Sequence, residues 1–193
     1  MIANPPQVTP EDLLCLPDDG RSYELLDGEL RERAVSTESN YLSGEVHFYV
    51  RLFVRSGFPG WAFPHDTPFR CFADDPDRVR KPDAAFIAFS RLTAEQYRRP
   101  GFCTVVPDLV AEVISPNDLA TNVEAKRDEW LDAGVRTVWI IDPLARTVRV
   151  HQADGGYAFL RETGTLAAPD VLPGFSLSVA ELFRIPEQSA ATP

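Results

Sequence analysis

The chain has 193 residues, 44% hydrophobic and 25% charged, ordinary proportions for one globular domain with a full core. Its net charge of −10 argues against a protein that coats nucleic acid through bulk electrostatics. No apolar run approaches the ~18 residues of a membrane span, and MIANPPQVTP lacks the basic start and apolar stretch of a signal peptide, so a cytoplasmic protein is expected.

Residues 1–20 read as an arm with a short helix, its start marked by Thr9-Pro10-Glu11-Asp12. YELLDGELRERAV, 23–35, predicts two short strands around Asp27-Gly28, a favoured tight turn. Apolar residues at 42, 46, 49, 50 and 53 predict a helix over 39–57, stopped by Gly57. A strand is predicted over 61–72, a turn-rich loop over 73–80 and a second strand over 83–89. Thr93 with Gln96 predicts a capped short helix before Pro100-Gly101. A strand at 108–114 leads into a helix that starts between Asn117 and Thr121 and ends near Ala133, closed by Gly134. RTVWIID, 136–142, is a further strand ended by Pro143. Residues 147–163 form a hairpin about Asp154-Gly155-Gly156, and 172–183 end in a short helix. The expected organisation is an arm over 1–20, a single domain over 21–184 and a flexible tail over 185–193. The class is α/β, a mixed β-sheet flanked by helices, with N-terminal and C-terminal hairpins.

One strand carries a conflict. PDLVAEVISPND, 107–118, reads as a strand buried on both faces, yet Glu112 sits in its middle. A lone buried carboxylate is costly to keep ionised and needs a partner or a metal. Asp83, at the start of the preceding strand in RKPDAAFIA, would approach it if the two strands are neighbours. Two bare carboxylates repel, and one would take up a proton unless a divalent cation intervened. Magnesium favours one or two carboxylates with waters and substrate phosphates. Lys126 is one of only two lysines among 19 basic residues, the other being Lys81. On the helix after Glu112 it shares a side with Val123 and Trp130, which should face the sheet. An inward lysine seeks an anion. A buried ion pair without chemistry is the alternative for a Glu–Lys pair alone; the second acid, Asp83, favours a site.

KPDAAF, PDLVAEVISP, a lysine on the next helix and GVRTVWIIDP together resemble the Uma-two family of putative restriction endonucleases, within the PD-(D/E)XK nuclease superfamily. The resemblance runs from YELLDGEL to LPGFSLSVAELF. It implies a restriction-endonuclease-like fold, Asp83 and Glu112 as ligands of Mg²⁺ or Mn²⁺, Lys126 as the positive group, and a nucleic-acid substrate, DNA before RNA. One departure stands out. The superfamily's lysine normally follows the acid by two residues, and here that place is Ile114. Lys126 must then act from the helix. A homodimer is expected, because duplex substrates suit two-fold partners and such dimers are the commonest oligomer.

Weaker candidates surround this set. Glu24, in YELLDGEL with Glu29, would add a ligand or hold a ligand water, or else face solvent. Glu124 reads as the end of a Thr121-x-x-Glu124 capping box, and Asp142 as a strand terminator. Arg78, Arg80 and Lys81 would contact a phosphate backbone, with Arg98 and Arg99 as a second basic cluster; a solvated loop is the alternative. The segment 51–99 carries +3 while 1–50 and 100–193 carry −7 and −6. His47 and His65 lack partners at metal spacing, and Ser115 lacks a His–acid arrangement. Cys15, Cys71 and Cys103 suit neither a disulfide framework nor a zinc site and are expected as buried thiols. Two other functions fit the same residues: a non-catalytic binding or scaffold protein, and a metal-dependent hydrolase of a small phosphoester.

Overall fold

The structure, a computed structural model, describes residues 7–33 and 36–185. Residues 1–6 of the expected arm and 186–193 of the expected tail lie outside the described residues.

Thr9 caps α1 (Pro10–Leu14) and Asp12 returns the bond, a capping box. β1 (Tyr23–Leu26) and β2 (Glu29–Glu32) pair antiparallel through Asp27-Gly28, both at positive φ, 51° and 74°. That is the backbone a tight primed turn requires. α2 (Thr37–Arg55) starts on Ser36 and buries Leu42, Val46 and Val50 along one stripe. Then come β3 (Gly60–Pro64), β4 (Ala84–Ala88), α3 (Ala94–Tyr97), β5 (Leu109–Val113), α4 (Ala120–Asp132), β6 (Thr137–Asp142), β7 (Thr147–Gln152), β8 (Tyr157–Leu160), β9 (Thr165–Ala168), β10 (Leu172–Ser178) and α5 (Val179–Leu182).

β3 to β8 form one six-stranded sheet in sequence order. Only β5 and β6 in it run parallel. A parallel pair needs a crossover, and α4 supplies it. One sheet face packs on α2, β9–β10 and α5 around Phe86, Trp139, Ile141 and Phe175. The other packs on α4 around Phe69, Trp130, Val138 and Ile140. Strand alternation divides β5 between them: Leu109, Ala111 and Val113 face α2, while Val110 and Glu112 face α4.

Four local expectations change. The strand expected over 61–72 stops at Pro64, because Pro64 and Pro68 cannot donate to a ladder and Asp66 turns the chain at φ 67°. Beyond it Phe69 makes only isolated bridges, to Arg80 and Cys103. β9 adds a strand that TLAA, four residues without alternation, does not signal. Helix α4 starts on Leu119, inside the expected 117–121 span, but Thr121 is not its N-cap, so no capping box forms; Glu124 instead pairs with Arg127 and Arg149. Cys15 is exposed, and Cys71 and Cys103 are half-buried. No helix among the described residues is long and apolar enough to cross a membrane.

Candidate functional site

Pairing register brings the two acids together. β4 and β5 pair Ala84 with Ala111 and Ala85 with Val110. Continued by one step, that register sets Asp83 opposite Glu112, and the Asp83 amide donates to the Ala111 carbonyl at 3.0 Å. The Ser43 hydroxyl donates to the Asp83 carbonyl at 3.1 Å, pinning the backbone from α2. The Asp83 carboxylate accepts from the Val113 amide and from Arg33 Nη2, both at 2.7 Å.

Among the described residues Glu112 has two partners, both on α4. Its Oε1 accepts from Trp130 Nε1 at 2.8 Å, and its Oε2 lies 2.9 Å from Lys126 Nζ. Positions 126 and 130 are one helical turn apart, so one face of α4 delivers both donors. Lys126 Nζ also lies 3.0 Å from Glu24 Oε1. Glu24 accepts from the Lys81 amide and from Arg80 Nη1, each at 2.8 Å. Arg80 then grips Glu129 through Nε and Nη2, both at 2.7 Å, in a planar fork. This chain of charges floors a cleft of about 480 Å³, with Ser39, Asn40, Ile114 and Asn122 on its walls.

The structure thus brings Asp83, Glu112, Lys126 and Glu24 to one cleft. Arg80 is there as well, but buried, holding carboxylates on both sides. Arg78 pairs with Asp74 and Asp75 and lies over the Phe72 ring, and Lys81 Nζ reaches Ser22. Arg99 pairs with Glu95, Glu29 with Arg31, and His65 with Asp66. Ser115 bonds Ser39 through their hydroxyls at 2.9 Å. Arg33, Glu129 and the indole donor of Trp130 were not foreseen as members. Trp130 and Glu129 were legible as neighbours of Lys126 on its helix. Arg33 carries no such signal, being 50 residues from Asp83 in sequence.

Burial raises the pKa of Glu24, yet Lys126 and Arg80 outweigh it and hold the carboxyl at about 2. For Glu112 burial wins over Lys126; with Asp83 and Glu24 adding repulsion, its carboxyl is pushed up to about 7. Burial works against the Lys126 proton, but Glu112 and Glu24 hold it on and raise its pKa. Opposite signs of linkage follow. Glu112 (about 7 folded, 4.5 ordinarily) contributes stability that is full below pH 4.5 and lost as the pH rises to 7. Glu24 (about 2 folded) contributes stability that is full above pH 4.5 and lost as the pH falls toward 2. Each limb is of order 3 kcal/mol. Thermal melts of the metal-free chain should therefore peak in mild acid, with the decline toward neutrality absent in Glu112→Gln. A melting temperature that climbs steadily to pH 8 or so would contradict this charge arrangement.

Does this donor set suit a divalent cation? Glu24, Asp83, Glu112 and Glu129 face Arg33, Arg80 and Lys126, four carboxylates against three cations. The excess is negative. Each bonded oxygen of Asp83 and Glu112 has one nitrogen donor and retains acceptor capacity. Among the described residues no group of three or more His, Cys, Asp or Glu side chains forms a metal cage. Magnesium does not require one, since it keeps several waters and takes one or two carboxylates. Asp83 and Glu112 fit that ion.

The family model Uma2, described as "Putative restriction endonuclease", matches residues 10–180. The fold is similar to the crystal structure of a putative nuclease belonging to DUF820 from Anabaena variabilis. The TM-score is 0.75 at 21% identity, over 91% of this chain and 97% of that one. No curated protein matches the chain.

Proposed function

The chain belongs to the Uma2 family of putative restriction endonucleases, and on that premise we propose that it is a magnesium-dependent endonuclease hydrolysing nucleic-acid phosphodiesters, DNA before RNA. The observation that carries the reading is the convergence of Asp83, Glu112 and Lys126 in one cleft, with Lys126 Nζ 2.9 Å from Glu112.

Asp83 and Glu112 would hold the ion. Magnesium, when bound, supplies Lewis acidity toward a phosphoryl oxygen and toward water. The protein's own residues do the rest. Val113 and Arg33 fix the Asp83 carboxylate, and Trp130 fixes that of Glu112. Lys126, kept protonated by Glu112 and Glu24, is a standing positive charge and no base. It offsets charge building on the phosphate or orients the attacking water. Glu24 stays ionised and spans Lys126 and Arg80, so its task is to position the lysine. The superfamily position two residues after the acid is Ile114, and Lys126 replaces it from α4. Unpaired cysteines suit action in the reducing cytoplasm.

The test is cleavage in Mg²⁺ and Mn²⁺ of duplex DNA, single-stranded DNA, RNA and a small phosphodiester, each repeated with EDTA. Metal-dependent scission of a polynucleotide is the expected result. Turnover of the small ester alone would assign the cleft to a small-phosphoester hydrolase, and no turnover of any substrate would leave a binding protein.

A further inference from the structure

Among the described residues four nitrogen donors hold the carboxylate oxygens of Asp83 and Glu112, and three of them are fixed in place. The Val113 amide, on Asp83 Oδ2, belongs to the backbone of β5. Trp130, on Glu112 Oε1, is fully buried in the core. Lys126, on Glu112 Oε2, is also held by Glu24 at 3.0 Å. Arg33 is different. Its Nη2 bonds Asp83 Oδ1 at 2.7 Å, while its Nη1 lies 3.5 Å from Asp66, an exposed carboxylate that does not line the cleft. It reaches in from the end of the β1–β2 hairpin, a sheet separate from the one that carries the acids.

The Arg33 guanidinium occupies ground that a metal ion needs. Burial works against its charge, and attraction from Asp83, Glu112 and Glu24 outweighs the burial. The same three carboxylates would draw a divalent cation. Both charges cannot sit on Asp83 Oδ1. At an effective dielectric of about 20, repulsion between a dication and a guanidinium ~5 Å apart is worth well over tenfold in an equilibrium. On the reading of Asp83 and Glu112 as the ion's ligands, we propose that Arg33 is the stand-in cation of the metal-free cleft: it holds the metal's place at Asp83, yields it when the metal binds, and turns its guanidinium to a substrate phosphate. The exchange needs only side-chain rotation. The Arg33 amide stays on the Ser22 carbonyl at 2.9 Å, and Asp66 remains as an anchor for Nη1. The rest of the planar fork is then free for phosphate oxygens. Arg80, by contrast, holds carboxylates on both sides.

Calorimetric titration of Mg²⁺ reads the exchange without turnover. Arg33→Gln, confirmed as folded by circular dichroism, should bind Mg²⁺ at least about tenfold more tightly than the wild type. An arginine that merely oriented Asp83 would do the reverse, and its loss would weaken binding. In the wild type itself, the Arg33 Nε–H resonance, identified by its loss in Arg33→Lys, should shift in step with Mg²⁺ saturation. With Ca²⁺ in place of Mg²⁺ to block cleavage, Arg33→Gln should lower the salt slope of duplex-oligonucleotide binding by about one. Equal or weaker Mg²⁺ affinity in Arg33→Gln, a wild-type resonance unmoved at saturation, or an unchanged salt slope would overturn the proposal. No Mg²⁺ binding by either chain would remove the cation site along with it. Tighter binding by Arg33→Gln in a chain that cleaves no polynucleotide would uphold the exchange at Asp83 and sink the nuclease reading alone.

Discussion

Glu112→Gln should lower magnesium-supported cleavage by at least about 100-fold while raising the melting temperature above neutral pH. The two effects have one cause. Glutamine keeps the shape of glutamate, and its oxygen still accepts from Trp130 Nε1. It loses the negative charge, which a cation needs and which burial penalises until its proton is held up to about 7. Lys126 keeps a partner in Glu24, 3.0 Å away, so no cation is stranded. Ordinary structural residues do not gain stability as function disappears; residues held in strain for chemistry do. Single-turnover cleavage and thermal melts at two pH values on the same preparation separate the outcomes. Undiminished cleavage would remove Glu112 from the reaction, and a drop in melting temperature would make its pairing with Lys126 chiefly structural.

Arg80→Ala should cost about 3–5 kcal/mol of stability, a fall of roughly 10 °C in melting temperature for a chain of this length. Arg80 is 7% exposed and binds Glu24 through Nη1 and Glu129 through a two-pronged fork. Its removal leaves Glu129 unpaired and Glu24 dependent on Lys126 and the Lys81 amide. Glu129 is half-buried and loses its partner, while buried Glu24 loses one of its two cations, and disrupting a buried ion-pair network is among the few single-residue defects of that size. Lysine at position 80 should recover only part of the loss, since an ammonium cannot occupy both prongs. Were Arg80 instead a phosphate contact, its removal would spare stability and flatten the salt dependence of nucleic-acid binding. Chemical denaturation of Arg80→Ala decides between the two.

Much of this centre was legible before any coordinates. Glu112 betrayed itself as a charge inside a doubly buried strand, and Lys126 as a lysine on the sheet-facing side of the next helix. Asp83 followed from its place at the start of the neighbouring strand. These signals are local periodicities, and a period of two or 3.6 survives in a linear text. Arg33 does not, because it reaches Asp83 only after the β1–β2 hairpin folds over the sheet. Arg80 reads in the sequence as a phosphate contact or a solvated loop arginine for the same reason: its carboxylates, Glu24 and Glu129, lie 56 and 49 residues away. The strand expected over 61–72 overran because apolar residues continue past Pro64, whereas the ladder cannot. β9 escaped because TLAA, a four-residue strand with one large apolar side chain, is too short to show a polar–apolar alternation.

Calorimetric titration of Mg²⁺ into the wild type and into Asp83→Asn at neutral pH addresses the cleft directly. Asparagine still accepts from the Val113 amide, so the local backbone is kept. A saturable heat in the wild type that is lost or weakened at least about tenfold in the variant is the expected result. Equal binding by both chains, or none by the wild type, would contradict a cation held between residues 83 and 112.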